Sequence, residues 1–296
     1  MKKYVENSLT NIFDRYDYPQ SFKDLMYKIN DLVSDFEIER ILSTYQSADK
    51  LDIDKLSEIS HELSEKYNVH SFTFNLYELV CLAPKLKQFY DDKGIDESVF
   101  YNTVNDIRYK YRECSNIHGV EGIRDSSWKH WYNVIFEMRI FAIGRFQYEI
   151  KEFRLKEYSK GGNVVKEGDK VLSIHIPSSG VSLTKEERYR SYAMAKEFFK
   201  DQFGGKPIPV VCWSWLMNPE HDKILPNGSN IVDFMHDFDI IDTEEYPDYN
   251  VLSPWIFGKE RVDLDTMPEK SSLQRSIKKH LQSGGKLAWG YGVFFL

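Results

Sequence analysis

The chain has few of the features that mark a secreted or membrane-spanning protein. Its 296 residues contain three cysteines, Cys81, Cys114 and Cys212, which are widely separated and form no Cys-x-x-Cys pair, so they indicate neither a disulfide framework nor a zinc site. No apolar run approaches the length of a membrane span, and the two lysines near the amino terminus precede no apolar segment of a secretory signal. We therefore expect a cytoplasmic protein with no membrane partner.

An excess of positive charge is also missing. The chain has 39 Lys and Arg against 46 Asp and Glu, a formal net charge of -7, so it offers no basic field for nucleic acid, which we do not expect as a partner. Aromatic residues are abundant, with 19 Tyr and 19 Phe, and 42% of the residues are hydrophobic. This composition is typical of a folded chain that is long enough for two domains.

The first half of the sequence has the apolar spacing of amphipathic helices, with apolar residues at i, i+3, i+4 and i+7. Such stripes are found at residues 22–33, 53–63, 76–89 and 99–111. Pro84 falls inside the third stripe and is expected to kink or end that helix. A connector rich in glycine and small polar residues follows at residues 118–127. We predict a helical N-terminal domain over residues 1–130, with no catalytic signature in it.

Beyond residue 131 the pattern changes to that of an α+β domain, helices laid on a mixed sheet, which we predict for residues 131–296. Alternation predicts strands at residues 139–150 and 171–176, with residues 153–158 as the hairpin partner of the first and a turn at 159–163. Residues 207–217 are apolar on both faces, which favours a central strand. Helices are expected at 185–199, 231–238 and 272–282, strands at 255–257 and 286–296, and an acidic surface loop at 242–248.

The stretch VLSIHIPSSG, residues 171–180, with the helix after it, is the strongest candidate for a binding site. Pro177 ends the strand, Gly180 supplies a turn, and Thr184 with Glu187 matches a T-x-x-E capping box that starts a helix. The free backbone N–H groups at such a helix start can hold a phosphate or pyrophosphate. The loop lacks the glycine repetition of a P-loop or dinucleotide fingerprint, and most turns of this kind bind nothing.

The order of elements in the second half is accompanied by specific motifs: RFQYEI, VLSIHIPSSG, the S-x-x-x-A-x-E-F-F run, CWSWLM, LPNGSNI and SLQRSIKKHLQSGG. Together they resemble the bacterial acyltransferase-domain family that pairs a helical N-terminal domain with a GNAT-like C-terminal domain, most strongly over residues 141–292. The resemblance implies direct transfer of an acyl group from acetyl-CoA or another acyl-CoA to an amine of a small molecule or peptide. It leaves the acyl length, the acceptor and the oligomeric state open.

The same resemblance implies roles for particular residues. A backbone N–H near residues 175–177 would polarise the acyl carbonyl, and the loop after it would hold the pyrophosphate. The residues implied for cofactor binding are Ile176, Ser178, Ser179, Gly180 and Thr184. Glu149 and His175 are titratable side chains on strands beside the expected cleft, and each is a candidate to take the proton of the acceptor ammonium. The alternative for both is a solvent-facing position or a structural hydrogen bond.

Two departures from the family pattern leave other functions open. Trp213 stands where a CHSWL-type motif would have a histidine, and the loop lacks the usual glycines, so the alternative is a catalytically silent GNAT-like module that binds a ligand or partner. A third hypothesis is an unrelated hydrolase that uses Cys212 or Ser214. No G-x-S-x-G elbow supports Ser214, and a buried cysteine is usually inert.

Other polar groups favour surface positions over sites. Arg145, Gln147 and Glu149 share one strand face, which we expect to be the solvated side of the sheet rather than a wall that orients an acceptor. Two sets of residues have side chains of the types that bind metals, but their spacing matches no known metal site, so no metal is predicted. These are His221 with Asp222, and Asp233 with His236 and Asp237.

Overall fold

The computed structural model describes residues 1–125 and 131–296, and the chain divides into two compact units, Met1–Phe141 and Ala142–Leu296. The predicted boundary at residue 130 and the end of the predicted connector, residues 126 and 127, lie outside the described residues. The prediction of a helical first half and an α+β second half on a mixed sheet is confirmed. None of the helices in the described part combines the length and apolar composition needed to cross a bilayer.

Helices build the first unit around one apolar core, to which each predicted stripe contributes buried side chains. A short antiparallel ribbon of two strands lies between the third and fourth helices. In chain order the elements are α1 (Lys2–Arg15), α2 (Gln20–Leu32), α3 (Asp35–Ser43), β1 (Tyr45–Ser47), β2 (Lys50–Leu51), α4 (Ile53–Tyr67), α5 (Ser71–Asp92), α6 (Glu97–Val104), α7 (Asp106–His118) and α8 (Asn133–Phe136).

Helix α5 continues through Pro84 to Asp92. The prediction that the helix could end at Pro84 is therefore wrong. Proline has no N–H, and the carbonyl of Val80, four residues earlier, therefore loses its helical partner. The hydroxyl of Ser8 on α1 donates to this carbonyl at 2.6 Å, and Ser8 is buried. A bond between two helices thus replaces the missing bond within one, which lets α5 reach Asp92.

A six-stranded mixed sheet forms the centre of the second unit. The elements in chain order are β3 (Ile140–Ile143), β4 (Phe146–Glu152), β5 (Glu157–Lys160), β6 (Asn163–Lys166), β7 (Lys170–His175), α9 (Lys185–Phe199), β8 (Pro209–Ser214), α10 (His221–Ile224), α11 (Asn230–Met235), β9 (Asp239–Glu245), α12 (Ser253–Phe257), α13 (Ser272–Gln282) and β10 (Ala288–Phe295). The sheet order is β3-β4-β7-β8-β10-β9, and β5 with β6 makes a separate two-stranded ribbon. β7 and β8 are parallel, whereas β4–β7, β8–β10 and β9–β10 are antiparallel.

The predicted meander differs from the observed strand pairing. The strand predicted at residues 139–150 is two strands, β3 and β4, joined by a turn at Gly144, whose φ is +62°. Residues 153–158 do not return along β4, because β4 pairs directly with β7 from Gln147↔His175 to Glu152↔Lys170. The glycine turn predicted at residues 159–163 instead closes the ribbon of β5 and β6.

Three further predictions about local structure are corrected. Residues 255–257 belong to helix α12, with Pro254 in its first turn, where a missing N–H costs no helical bond. The acidic stretch at 242–248 is not simply a loop, since its first residues continue β9 at the edge of the sheet. β8 is central as predicted but ends at Ser214, whose hydroxyl accepts from the backbone N–H of Leu216 at 3.2 Å and starts a 3-10 turn.

The two faces of the sheet have different neighbours. On the back face Phe146 stacks on Tyr192 of α9, with ring centroids 5.6 Å apart, and on Phe234 of α11, at 5.3 Å. Strand alternation places Gln147, Glu149, Ser173, His175 and Trp213 on the opposite side, which we call the front face. The aromatic contacts on the back face anchor α9 and α11 to the sheet.

Candidate active site

The parallel strands β7 and β8 separate near their carboxyl ends. Their pairing joins Leu172 with Val210 and Ser173 with Val211, and within the described chain it extends no further. β7 nevertheless continues to His175 and β8 to Ser214. The two strands thus stop pairing with each other before His175, at the edge where β7 runs into the loop that leads to α9, and we call the place where they part the gap.

That loop, residues 177–184, is open to solvent over much of its length. We call it the phosphate loop after the pyrophosphate-binding role expected of it from the sequence. Ser178 and Gly180 are exposed, Ser179 is partly exposed, and its hydroxyl accepts from the N–H of Val181 at 3.2 Å. Gly180 has φ +82°, a conformation that only glycine adopts readily, and open space surrounds the position of a Cβ. Side chains therefore do not fill this turn.

Helix α9 begins after Thr184, as predicted. The Thr184 hydroxyl accepts from the backbone N–H of Glu187 at 3.4 Å, which makes it the N-cap. The reciprocal half of the predicted capping box is not formed among the described residues, because the Glu187 carboxylate accepts from Arg190 at 2.7 Å. Ile176 lies one residue beyond the end of β7 and is partly exposed, between the gap and the phosphate loop.

Glu149 and His175, named separately from the sequence, are hydrogen-bonded to each other. His175 Nε2 lies 2.9 Å from Glu149 Oε2, across the antiparallel pair of β4 and β7. Lys151 Nζ is 3.1 Å from the same carboxylate oxygen. The Glu149 side chain is 7% exposed and that of His175 is 25% exposed, so the imidazole is the more accessible member of the pair.

The charge state of Glu149 determines the tautomer of its partner. Burial raises the pKa of the Glu149 carboxyl, but the hydrogen bond from His175 and the charge of Lys151 outweigh burial and lower it below the usual value. Glu149 is therefore ionised near neutral pH and can only accept hydrogen bonds. For that hydrogen bond the imidazole must carry a proton on Nε2.

The front face is buried, so the expected solvated side of the sheet is wrong. Arg145 is 8% exposed, Gln147 1% and Glu149 5%. Trp213 lies on the same face, and the guanidinium of Arg154 stacks on its indole with the carbon 3.2 Å from the ring centroid. The Glu149–His175 pair thus shares its face of the sheet with this stacked pair and has Lys151 beside its carboxylate.

A buried arginine that the sequence reasoning missed fixes the end of the phosphate loop. Arg188 of α9 donates to the backbone carbonyl of Leu183 at 2.8 Å, to Asp237 at 2.7 Å and to Asp233 at 2.9 Å. Tyr192 also donates to Asp237, at 2.9 Å. Burial opposes the charge of Arg188, but the two carboxylates outweigh burial and raise its pKa. The one signal in the sequence for this role of Arg188 was its position on the face of α9 that points inward.

The alternative nucleophiles and metal ligands have structural partners. Cys212 is fully buried, which raises the pKa of its thiol, and the Ser214 hydroxyl caps the 3-10 turn. No group of three or more His, Cys, Asp or Glu able to hold a metal ion is found in residues 1–125 and 131–296. Asp237, expected on a wet helix face, is instead 9% exposed in its contact with Arg188. His221 bonds the carbonyl of Trp215 at 2.8 Å.

Comparison with family models assigns both units. Residues 140–294 match the GNAT-like C-terminal domain, and residues 7–133 match the N-acyltransferase N-terminal domain. No curated protein matches the sequence. The two matched segments together span most of the chain.

Solved structures of acyltransferases have the same fold. One, in complex with decanoyl-CoA, is 21% identical with a TM-score of 0.64, over 94% of this chain and 88% of that chain. Another, in complex with decanoyl-CoA and teicoplanin, is 18% identical with a TM-score of 0.66, over 100% and 99%. A third, an acyltransferase mutant in complex with octanoyl-CoA, is 18% identical with a TM-score of 0.64, over 95% and 89%. At these identities the similarity is one of fold.

Proposed function

Because the chain belongs to the N-acyltransferase family in which a helical N-terminal domain precedes a GNAT-like C-terminal domain, we propose that it transfers an acyl group from an acyl-CoA to an amine. The observation that carries the proposal is the parting of β7 and β8 after the Ser173–Val211 pair, beside the phosphate loop. The solved acyltransferases with this fold contain decanoyl-CoA or octanoyl-CoA, which supports an acyl-CoA co-substrate. One of them also contains teicoplanin, which supports an acceptor of small-molecule or peptide size.

In this proposal the thioester enters the gap between the strands. Pro177 has no N–H, so the backbone amide at the end of β7 that is able to polarise the acyl carbonyl is that of Ile176. The phosphates of CoA lie against the exposed turn at Ser179 and Gly180 and the start of α9, where backbone N–H groups and the helix dipole favour negative charge.

The proton of the acceptor amine goes to the Glu149–His175 pair. An amine is an ammonium ion at neutral pH and must lose a proton before its nitrogen can attack the thioester carbon. His175 accepts this proton, and Glu149 holds the imidazole ring through the contact of its carboxylate with Nε2, 2.9 Å away. The nitrogen–carbon bond then forms and the carbon–sulfur bond breaks. CoA leaves as a thiolate, which takes up the second proton that the attacking nitrogen loses as it becomes an amide.

Isothermal titration of the whole chain tests the proposal, with CoA and with acetyl-, octanoyl- and decanoyl-CoA. Turnover is followed as thiol release with a panel of amines. Gly180→Val, which places a β-branched residue at φ +82° in open space, is expected to weaken CoA binding at least tenfold. Gly161→Val is the matched control, because Gly161 has φ +58°, equally open surroundings and a place in the distant turn between β5 and β6.

Two results would contradict the proposal in different ways. Absence of binding by any of these acyl-CoAs would remove the transferase assignment. Binding without turnover of any amine would support the second candidate, a catalytically silent module. Trp213, which stands in place of a histidine, is the observation that favours this candidate. Acetyl and longer acyl groups are distinguished by the same titrations, since their affinities are measured side by side.

A further inference from the structure

Two buried arginines hold the ends of the phosphate loop. Arg145 donates to the carbonyl of Pro177 at 3.3 Å, and Arg188 donates to the carbonyl of Leu183 at 2.8 Å. Between these points the loop is mostly exposed, and Ser182 accepts from Asn230 of α11 at 2.8 Å. The loop is therefore fixed from beneath at its ends, while its middle stays open for a ligand.

Arg188 makes the stronger of the two attachments. Its guanidinium is 1% exposed and uses all three nitrogens: Nε with Asp237, one terminal nitrogen with Leu183, and the other with Asp233 and Asp237. Because it is covered and its charge is balanced by two carboxylates, it cannot contact a ligand directly. Any contribution to binding must come through the backbone that it orients.

The orientation follows from peptide geometry. In a trans peptide the C=O and the N–H point in opposite directions, and the described chain contains no cis peptide bond. Since the Leu183 carbonyl points inward to Arg188, the N–H of Thr184 in the same peptide unit points away from the core. This N–H stands at the positive end of α9, on the side where the loop is exposed.

We propose that Arg188 is a positioning residue for the phosphates of the CoA co-substrate, a role that rests on the proposed function. It holds the Leu183–Thr184 peptide so that backbone donors at the start of α9 face the ligand. Asp233 and Asp237 hold Arg188 in turn and couple the phosphate loop to α11. The expected signature is a loss specific to substrates that carry the phosphates.

The test compares an acyl-CoA with the corresponding acyl-pantetheine, which has the same thioester without the phosphates. Arg188→Lys keeps the positive charge, but an ammonium cannot reproduce the forked contacts to a carbonyl and two carboxylates. We expect kcat/KM for acyl-CoA to fall at least tenfold, through KM, and kcat/KM for acyl-pantetheine to stay within about twofold. Arg190→Lys is the matched control, because Arg190 is exposed on the same helix, pairs with Glu187 and should change neither value.

A second variant covers the case in which Arg188→Lys does not fold. Asp233→Asn removes a carboxylate that is 56% exposed and leaves the contact of Arg188 with Asp237, so the same phosphate-specific loss is expected at a smaller size. Equal losses of kcat/KM for acyl-CoA and acyl-pantetheine, in whichever variant folds, would show a purely structural role for Arg188. That result would overturn this inference and leave the proposed function standing. A wild-type chain that binds no acyl-CoA would instead overturn the proposed function.

Discussion

Glu37 should make the helical unit sensitive to acid. Its carboxylate is 5% exposed and accepts from the Ser34 N–H at 2.8 Å, the Ser34 hydroxyl at 2.7 Å, Lys66 at 2.6 Å and Tyr67 at 2.8 Å. It closes the capping box of α3 and ties that helix to the end of α4. Protonation of this one carboxyl would weaken contacts to three residues at once. The helical unit is therefore tested by lowering the pH, and Glu37→Gln is the variant in which residue 37 can no longer titrate.

The size of the effect follows from the pKa. Burial raises the pKa of Glu37, but the hydrogen bonds from Lys66, Ser34 and Tyr67 outweigh it and lower the pKa from 4.5 to about 2. A lowered pKa in the folded state gives stability that is present above the unfolded value and lost as the pH falls toward the folded one. At roughly 1.4 kcal/mol per pKa unit, about 2 kcal/mol is lost by pH 3 and about 3 kcal/mol by pH 2.

Urea unfolding followed by circular dichroism at 222 nm measures the effect, for wild type and Glu37→Gln at pH 7 and pH 3. Other carboxyl groups titrate in both proteins, so the difference between the two isolates Glu37. The difference in free energy of unfolding between wild type and the variant should shrink by about 2 kcal/mol from pH 7 to pH 3. A change below about 0.5 kcal/mol would show that the four hydrogen bonds do not hold Glu37 ionised in the folded state.

Three further outcomes are expected. Glu149→Gln should lower kcat for thiol release roughly a hundredfold, with the KM for acyl-CoA unchanged, because an amide cannot stabilise the protonated imidazole; an unchanged kcat would exclude the pair as the base. Ser8→Ala should lower the free energy of unfolding by about 1–3 kcal/mol in urea titrations, because the Val80 carbonyl loses its donor. The control Thr10→Ala removes an exposed hydroxyl on the same helix and should change the free energy of unfolding far less. Cys212→Ala should keep acyl transfer within about threefold in the same assay, and loss of activity would instead identify a thiol nucleophile.

Local signals in the sequence predicted most helices of both units. The stripe of α2 and the N-cap Thr184 of α9 depend on residues within one or two turns, so they can be recognised without the fold. The continuation of helix α5 past Pro84 could not be predicted in this way. Its passage through Pro84 depends on Ser8, which lies far away in the sequence, and no local pattern records such a donor.

Strand pairing and burial were the weaker part of the prediction. Alternation assigned Gln147 and Glu149 to one face and His175 to the face it shares with Val171, but it could not show that β4 and β7 are neighbours. Register is set by pairing between distant segments, and the observed pair Gln147↔His175 places Glu149 diagonally across from the imidazole. The same limit explains why the front face was expected in solvent, since alternation separates two faces without showing which one is covered.

The position of Trp213 bears on where the base can lie. Trp213 is on the front face of β8, the strand that parts from β7, so a histidine at this position would share the face of His175 and Glu149. The indole can donate a hydrogen bond but cannot accept a proton, and Arg154, which is held by Asp242 at 3.0 Å, covers its ring. Where a CHSWL-type motif would place a histidine on β8, this chain has a stacked aromatic. In the proposed reaction the ammonium proton therefore goes to the other side of the gap, to His175, whose ring is held by Glu149.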